Sequence, residues 1–346
     1  MRVDSTAVRK ILVIRLRSIG DILLTNPVLE ALREGYPHAT IDMLVDDLFV
    51  DVLYGNPNVD RVFPHTRRVE GPKWKSDLAF IRAVRRQKYD MVVDLQGGPR
   101  GAWLTFFSGA RYRVGHPFRL RNRLAYNLYG EHPRPDDHSW LVQFKTIVNL
   151  GFPPPAKPRF HVDIDPAVKA SVREKLERKG LLFDRPLVLL HPGARIDEKR
   201  WPAPKMGELA RWLVDEKGAA VILAGGPADR GEVDAIRKAS GYALPTFADL
   251  TVAELMALIG GVDLLVCNDS GPMHIAGAFD TPTVALFGPS DPALWSPVGD
   301  HHAILTPAPM DCMPCDQKGC PRSGDHCMTR IDIDAVKETV ERFGLH

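Results

Sequence analysis

The chain has 346 residues, enough for two domains, and its 45% hydrophobic and 25% charged content can fill two sizeable cores. No apolar run approaches the roughly 20 residues of a membrane-spanning helix, and residues 1–10 lack the apolar stretch of a signal peptide. Five cysteines are too few for a disulfide scaffold in a chain of this length. Basic residues outnumber acidic ones by 23 to 16 in residues 1–150, whereas acidic residues lead by 27 to 22 in the remainder, which predicts an anionic partner for the first half.

The first half of the chain alternates short apolar runs with amphipathic segments. Strands are predicted at 11–14, 40–45 and 89–95, and helices at 21–34 and 76–88. Strands separated by helices indicate parallel βαβ units.

A proline-rich stretch then interrupts this alternation. Six prolines between 133 and 158 flank one amphipathic segment, 139–150, which indicates a connector between domains. We therefore predict domains at 1–158 and 159–331, with a C-terminal helix at 332–346 as a candidate for packing back on the first domain.

The second half repeats the α/β pattern, with strands predicted at 187–190, 220–223 and 263–267 and helices at 205–216, 251–259 and 273–279. Thr251 and Glu254 fit a capping box at the start of the second of these helices. Ligands of such sheets bind beyond the carboxyl ends of the strands, so we expect the functional residues in loops that follow strands and line a cleft between the domains.

The loop after the first strand carries Gly20 and Asp21 at the start of a helix. Aspartate is a favoured cap at such a position, and an aspartate there usually only caps the helix. The functional alternative is a general base facing the cleft, with Gly20 permitting a tight turn or a close approach of the backbone. The residues alone favour the cap.

The loop after the strand at 187–190 contains a second candidate site. Lys199 or Arg200 would neutralise a phosphate if either side chain reached the cleft. The alternative is that both are solvated surface charges and that Trp201 anchors the next helix in the core.

A third candidate loop lies between the strand at 263–267 and the helix at 273–279. Backbone amides at a helix N-terminus bind anions, Gly271 leaves room for a phosphate, and His274 lies about one turn into the helix. In the alternative, Asp269 or Ser270 only caps the helix and His274 is a core histidine.

Arginines are concentrated between Arg100 and Arg123, a stretch with six of them and no acidic residue. The guanidinium group suits bidentate capture of phosphate or carboxylate, although a solvated basic surface is also common.

Together these segments resemble the heptosyltransferases of lipopolysaccharide core biosynthesis, glycosyltransferase family 9. The matching pieces agree in order and spacing over nearly the whole chain: Ile11-Leu12-Val13-Ile14 with Gly20-Asp21-Ile22, His191-Pro192-Gly193, Lys199-Arg200-Trp201-Pro202, Leu223-Ala224-Gly225-Gly226-Pro227, Asn268-Asp269-Ser270-Gly271-Pro272-Met273-His274, and Phe287-Gly288-Pro289-Ser290-Asp291-Pro292.

The resemblance implies a GT-B architecture, in which two Rossmann-like α/β domains face a central cleft and bind acceptor and donor nucleotide, respectively. It makes Asp21 the general base and Lys199 the phosphate contact. The full set of predicted donor-binding residues is Gly193, Lys199, Asp269, Ser270, Gly271 and His274. The predicted acceptor-binding residues are Arg17, Arg119, Arg121 and Arg123.

The implied reaction is an inverting, metal-independent transfer of heptose from ADP-heptose to an anionic inner-core lipopolysaccharide. The expected partners are a nucleotide sugar, a lipid-linked anionic glycan and the inner membrane surface, with no nucleic acid. We therefore expect a cytoplasmic enzyme, peripheral at the inner face of the cytoplasmic membrane, that needs no cofactor.

Three other functions are alternatives to this one. A family member with another nucleotide sugar or acceptor remains open, and so does a non-catalytic glycan-binding relative. Four retained residues argue against the latter: Asp21, Lys199, Asp269 and His274. A nicotinamide-dependent oxidoreductase requires G-x-G-x-x-G after a strand, and the first strand is followed by Arg17-Ser18-Ile19-Gly20 instead.

Four cysteines fall within sixteen residues near the C-terminus: Cys312, Cys315, Cys320 and Cys327. In a cytoplasmic protein such a cluster suggests a metal before a disulfide, but its spacing is only partly zinc-like. A similar stretch occurs in part of the heptosyltransferase family. We rank reduced structural thiols first, a structural zinc site second and disulfides third.

Overall fold

The computed structural model describes residues 3–66, 73–116, 120–181, 184–315, 319–322 and 324–345. The chain divides into two compact units, Met1–Asp163 (unit 1) and Ile164–His346 (unit 2). The division falls after Asp163 rather than after 158 because the main chain of His161 is bonded to unit 1. Its N–H donates to Asn26 Oδ1 at 3.0 Å, and its carbonyl accepts from Asn56 Nδ2 at 3.1 Å.

Unit 1 is a parallel α/β domain. Its elements are β1 (Lys10–Ile14), α1 (Ile19–Leu23), α2 (Asn26–Gly35), β2 (Thr40–Asp46), β3 (Arg61–His65), α3 (Lys73–Arg86), β4 (Met91–Asp94), α4 (Pro99–Phe107), β5 (Tyr112–Gly115), β6 (Leu128–Tyr129) and α5 (Ser139–Val148). In the described part of the unit, six parallel strands lie in the order β3-β2-β1-β4-β5-β6. The central strands β1 and β4 are almost entirely buried, as expected for a parallel sheet covered on both faces.

Unit 2 repeats this architecture. Its elements are α6 (Pro166–Arg178), β7 (Leu187–His191), α7 (Ala203–Asp215), β8 (Ala220–Ala224), α8 (Arg230–Ser240), β9 (Thr246–Phe247), α9 (Val252–Ile259), β10 (Leu264–Asn268), α10 (Gly271–Phe279), β11 (Thr283–Leu286), α11 (Pro292–Trp295), β12 (His302–Leu305) and α12 (Ile333–Glu341). Counting only described residues, the sheet has six parallel strands in the order β12-β11-β10-β7-β8-β9. The predicted capping box is present, since Thr251 Oγ1 accepts from the N–H of Glu254 and the Glu254 carboxylate from that of Thr251.

The single helix predicted at 21–34 is wrong, because the chain forms two helices there. Thr25 Oγ1 donates to the Ile22 carbonyl and Asn26 Nδ2 to the Leu23 carbonyl, at 2.5 and 2.8 Å, so side chains take acceptors that a continuous helix would use. Pro27 has no N–H with which to continue the first helix and suits the first turn of the second.

The C-terminal helix α12 is part of unit 2 rather than a separate segment. Val336 and Val340 are fully buried in the same core as Trp201, Met206 and Leu213. Burying each of these valine side chains stabilises the fold by about 1.5–3 kcal/mol, which explains why α12 packs into this core. The expectation that residues 332–346 also contact the first domain stays a prediction.

Candidate active site

Both sheets have the strand order typical of dinucleotide-binding domains. In that order the loops after two central strands diverge, and ligands bind beside the point of divergence. The two strands are β1 and β4 in unit 1, and β7 and β10 in unit 2. The predicted residues follow three of these strands: Asp21 comes after β1, Lys199 after β7 and Asp269 after β10.

Asp21 lies in the first turn of α1 and closes that turn. Its Oδ2 accepts from the backbone N–H of Ser18 at 3.2 Å and from the Ser18 hydroxyl at 3.1 Å. Its own carbonyl accepts from Gln143 Nε2 at 3.0 Å. The side chain is still 23% exposed, so the carboxylate both supports the helix start and remains accessible. Capping and base chemistry are thus compatible at this position.

Arg15 is a site residue that the sequence did not reveal. Its Nη2 lies 2.5 Å from Asp21 Oδ1, and its Nη1 donates to the Leu95 carbonyl at 2.5 Å. The guanidinium therefore joins the loop after β1 to the loop after β4 and orients the Asp21 carboxylate. The sequence feature that could have indicated this role is a charged residue directly after the four apolar residues 11–14. Arg17, the predicted acceptor contact, is exposed in the same loop.

Asp94 is a buried carboxylate at the end of β4, paired in register with Ile14 of β1. Its Oδ2 accepts from Tyr126 Oη at 2.7 Å, and its Oδ1 accepts from the N–H groups of Gln96 and Gly97 at 2.9 and 3.2 Å. A Cβ atom at Gly101 would lie 2.5 Å from both carboxylate oxygens, so that position requires glycine. Asp94 thereby shapes the loop to which Arg15 is bonded.

The titration of Asp94 gives a prediction for stability. Burial raises the pKa of Asp94 to about 6, above its ordinary value of about 4. The folded state therefore binds this proton more tightly, and the free energy of unfolding should fall by roughly 3 kcal/mol as the pH rises from about 4 to about 6. Asp94→Asn should remove this part of the pH dependence. Urea unfolding of both proteins between pH 4 and 8 measures this pH dependence. If the free energy of unfolding of the variant falls with pH as steeply as that of the wild type, the assignment is contradicted.

Asn268, at the end of β10, holds the loops of unit 2 together. It is fully buried, its Nδ2 donates to the Pro192 carbonyl at 2.7 Å, and its Oδ1 accepts from the N–H of Trp201 at 3.0 Å. The loop after β7 is therefore bonded at two places to the end of β10. Trp201 is buried, as its interpretation as a core anchor requires, and its Nε1 donates to the Ile331 carbonyl at 3.2 Å.

Lys199, Asp269 and Ser290 form a charged cluster at the carboxyl edge of this sheet. Lys199 Nζ lies 2.6 Å from Asp269 Oδ2, and the Ser290 hydroxyl donates to the same oxygen at 2.5 Å. The Asp269 side chain is only 8% exposed and that of Lys199 is 18% exposed. The ammonium carries three N–H donors, and the bond to Asp269 uses one of them. Ser290 belongs to the segment 287–292 that resembles the heptosyltransferase family, but it was not among the predicted site residues.

The N-terminus of α10 lies directly beside this cluster. Ser270 is the capping residue by position, yet its hydroxyl donates to the Asn268 carbonyl at 3.1 Å and makes no cap bond to the helix. The Asp269 carboxylate is bonded to Lys199 and Ser290. The alternative interpretation, in which Asp269 or Ser270 only caps the helix, is therefore wrong. The predicted residues Gly271 and His274 are in the first turns of α10, and His274 is buried. Pro272 has no N–H and the Met273 N–H donates to the Ser270 carbonyl at 3.2 Å, so an anion at this helix start would meet the helix dipole and the N–H of Gly271.

Arg200 and Lys199 are adjacent in sequence but differ in their contacts. Arg200 Nη2 lies 3.2 Å from Asp229 Oδ1 and donates to the Ala194 carbonyl at 3.1 Å, which ties the loops after β7 and β8 together. A Cβ atom at Gly193 would lie 2.7 Å from Asp229 Oδ2, so glycine is needed for this packing. Arg200 is therefore a structural residue, and Lys199 is the cation beside the start of α10.

The cysteine segment packs against the loop after β11. Cys315 N–H donates to the Pro289 carbonyl at 3.0 Å, and a Cβ atom at Gly288 would lie 2.9 Å from Cys327 Sγ. All five cysteines are free thiols; Cys267 and Cys327 are buried, while Cys312, Cys315 and Cys320 are exposed. Within the described residues, no group of three histidine, cysteine, aspartate or glutamate side chains is arranged to hold a metal ion. Burial raises the pKa of the Cys327 thiol.

The predicted basic surface of unit 1 is described only in part. Arg123 is exposed on the 3-10 helix Leu120–Ala125, while Arg119 and the side chain of Arg121 lie outside the described residues. Arg100 is also exposed. Arg113 has an internal role, since its guanidinium donates to the Ala125 and Ala110 carbonyls at 2.9 and 3.1 Å.

No helix in the described ranges is long and apolar enough to cross a bilayer.

Known structures share this two-unit fold. A glycosyltransferase family 9 protein from Veillonella parvula superposes with a TM-score of 0.83 at 24% identity, covering 97% of both chains. The E. coli ADP-heptose lipopolysaccharide heptosyltransferase II gives 0.77 at 22% identity, covering 96% of this chain and 98% of that one. The E. coli heptosyltransferase WaaC, solved with ADP, gives 0.72. The fold therefore belongs to the GT-B class of glycosyltransferases, as predicted.

Sequence comparison identifies the family within this class. Residues 78–325 match the model of glycosyltransferase family 9 (heptosyltransferase). Lipooligosaccharide heptosyltransferase 2 of Haemophilus influenzae is 28% identical over 314 residues, covering 85% of this chain and 88% of the relative. Lipopolysaccharide heptosyltransferase 1 of Pseudomonas aeruginosa is also 28% identical, covering 96% and 97%. The chain belongs to glycosyltransferase family 9 and is a glycosyltransferase.

Proposed function

We propose that this enzyme transfers a heptose from ADP-heptose to an anionic inner-core lipopolysaccharide acceptor, with inversion at the anomeric carbon and without a metal ion. The observation that carries the proposal is the ammonium of Lys199, held 2.6 Å from Asp269 beside the uncapped start of α10. A cation beside a helix N-terminus suits a diphosphate. Relatives named heptosyltransferases, and one structure of WaaC with an ADP-heptose analogue, support the choice of sugar and nucleotide.

In the proposed reaction the acceptor hydroxyl oxygen attacks the anomeric carbon of the donor. The bond from that carbon to the diphosphate oxygen breaks, its electron pair leaves with ADP, and the hydroxyl proton passes to Asp21. Lys199 and the amides at the start of α10 stabilise the charge that develops on the diphosphate. Arg15 keeps the Asp21 carboxylate oriented, at a Nη2–Oδ1 distance of 2.5 Å.

We assign acceptor binding to unit 1. We also assign the enzyme to the inner face of the cytoplasmic membrane. Arg17 and Arg123 are exposed on this unit, and they are joined by Arg119 and Arg121 as proposed acceptor contacts. The excess of basic residues in 1–150 supports this assignment, because core lipopolysaccharide carries phosphates and acidic sugars.

A donor screen tests the proposal against its alternatives. Purified enzyme is incubated with an acceptor lacking the transferred sugar and with ADP-heptose, UDP-glucose, GDP-mannose or UDP-N-acetylglucosamine. Transfer from ADP-heptose alone supports the proposal. Transfer from another donor identifies a family member with different specificity, and no transfer from any donor supports a non-catalytic relative.

We expect activity to be insensitive to chelation. Lys199 and the α10 amides supply the positive charge that a divalent ion would otherwise place on the leaving diphosphate. Initial rates with excess EDTA should match those with added magnesium, because no step in the proposed chemistry uses a metal ion. A rate abolished by EDTA and restored by magnesium would contradict this part of the mechanism.

A further inference from the structure

One surface of unit 1 exposes three large apolar side chains side by side. Trp103 and Phe106 on α4 are 61% and 49% exposed, and Leu124 on the 3-10 helix Leu120–Ala125 is 80% exposed. All three line one groove of about 490 Å³ between these helices. Single exposed apolar residues are ordinary, but a contiguous group marks an interaction surface. We call Trp103, Phe106 and Leu124 the apolar ridge.

The apolar surface continues on the other side of Trp103. The Trp103 ring stacks on Phe107, with centroids 5.3 Å apart and an interplanar angle of 28°. A second groove, of about 540 Å³, separates α4 from α3 and is lined by Trp103, Leu78 and Phe80 among others. Trp103 therefore stands between two apolar grooves, and the surface is wider than one helix face.

The stretch of sequence that carries the ridge has charges of one sign. Residues 95–130 contain six arginines and no aspartate or glutamate. Arg100 lines the second groove, and Arg123 is exposed next to Leu124 in the sequence. Aromatic and aliphatic side chains flanked by arginine are the composition that enters the boundary between headgroups and acyl chains of an anionic bilayer.

We propose that the apolar ridge inserts into the interfacial layer of an anionic phospholipid bilayer, with Arg100 contacting headgroup phosphates. This inference rests on the proposed function, because a lipid-linked acceptor requires the enzyme to work at a membrane. Insertion of the ridge adds an apolar contribution to a membrane attachment that would otherwise depend on charge alone. Binding should therefore persist in part at salt concentrations that screen exposed charges.

The first test measures co-sedimentation with vesicles of phosphatidylglycerol and phosphatidylcholine. The triple variant Trp103→Ser, Phe106→Ser, Leu124→Ser should bind at least about tenfold more weakly, because it loses most of the apolar area that would be buried. Trp295→Ser, which removes a tryptophan that is 40% exposed on unit 2, is the matched control and should bind like the wild type. Unchanged binding of the triple variant would overturn the proposal.

A conservative variant separates insertion from loss of folding. Trp103→Phe should keep vesicle binding, while quenching of the tryptophan fluorescence by brominated lipid should fall strongly, since Trp103 is the inserted fluorophore. Equal quenching in Trp103→Phe and wild type would overturn the assignment. Self-association of the wild type without vesicles, abolished in the triple variant, would show instead that a second copy covers the ridge.

Transfer assays distinguish failure of this inference from failure of the proposed function. The triple variant should retain transfer to a soluble acceptor whose acyl chains have been removed, and lose transfer to the same acceptor in vesicles. Loss with both acceptors would place the ridge in the acceptor site and refute a membrane role. A wild type that binds vesicles through the ridge but transfers nothing to either acceptor would refute the proposed function alone.

Discussion

Replacing Asp21 with asparagine is expected to lower the kcat of heptosyl transfer by at least about a hundredfold, the usual scale for loss of a general base. Asparagine keeps an oxygen that can accept from Ser18, so the helix start should survive, but its amide cannot take the acceptor proton. Asp21→Ala should lose as much turnover and some stability as well. Dissociation constants for ADP, measured by calorimetry, should stay near the wild-type value in both variants.

The control for this experiment is an aspartate that only caps a helix. Asp165 Oδ1 accepts from the N–H of Ala167 at 2.8 Å at the start of α6. Asp165→Ala should cost about 1 kcal/mol of stability, the usual effect of losing a cap, and leave kcat unchanged. If Asp21→Asn keeps most of its turnover, the carboxylate is a capping group and the base lies elsewhere.

Replacing Lys199 with glutamine should weaken ADP binding about thirtyfold, because a charge-assisted hydrogen bond to phosphate is worth about 2 kcal/mol. Adenosine binding should hardly change, since the ammonium is assigned to the diphosphate. Asp269 would lose its ion-pair partner at the same time, but Ser290 would still donate to it and hold it in place. Titration calorimetry with both ligands provides the measurement.

Lys337 offers a matched control for the charge itself. Its Nζ lies 3.1 Å from Glu208 Oε1, and its side chain is about as exposed as that of Lys199. Lys337→Gln removes the same charge from unit 2 and should leave both affinities unchanged. Equal losses of ADP and adenosine affinity in Lys199→Gln would mean that the lysine supports the fold of the pocket rather than the phosphates.

Much of the fold could be predicted because buried parallel strands have a local signature. The run Ile11-Leu12-Val13-Ile14 is apolar throughout and is buried on both faces of the sheet. The break at Thr25 and Pro27 was missed because apolar spacing continues across it, and only side-chain bonds to Ile22 and Leu23 reveal two helices. The docking of α12 was missed because an amphipathic helix does not specify which core receives it.

The candidate site was predicted by its chemical groups but not by its contacts. Lys199 and Asp269 were both identified, yet they are 70 residues apart and no local pattern indicates their ion pair. Arg15, Asp94 and Ser290 were missed for the same reason, since each matters through a partner brought near by the sheet. The order of strands in the sheet, which the sequence does not specify locally, is what places these partners together.

Heptosyl transfer by inversion is tested most directly by the structure of the product. Enzyme, ADP-heptose and a soluble core acceptor are incubated, and the product is analysed by mass spectrometry and by NMR of its anomeric proton. We expect one added heptose, with an anomeric configuration opposite to that of the donor. A retained configuration, or a product carrying another sugar, would contradict it.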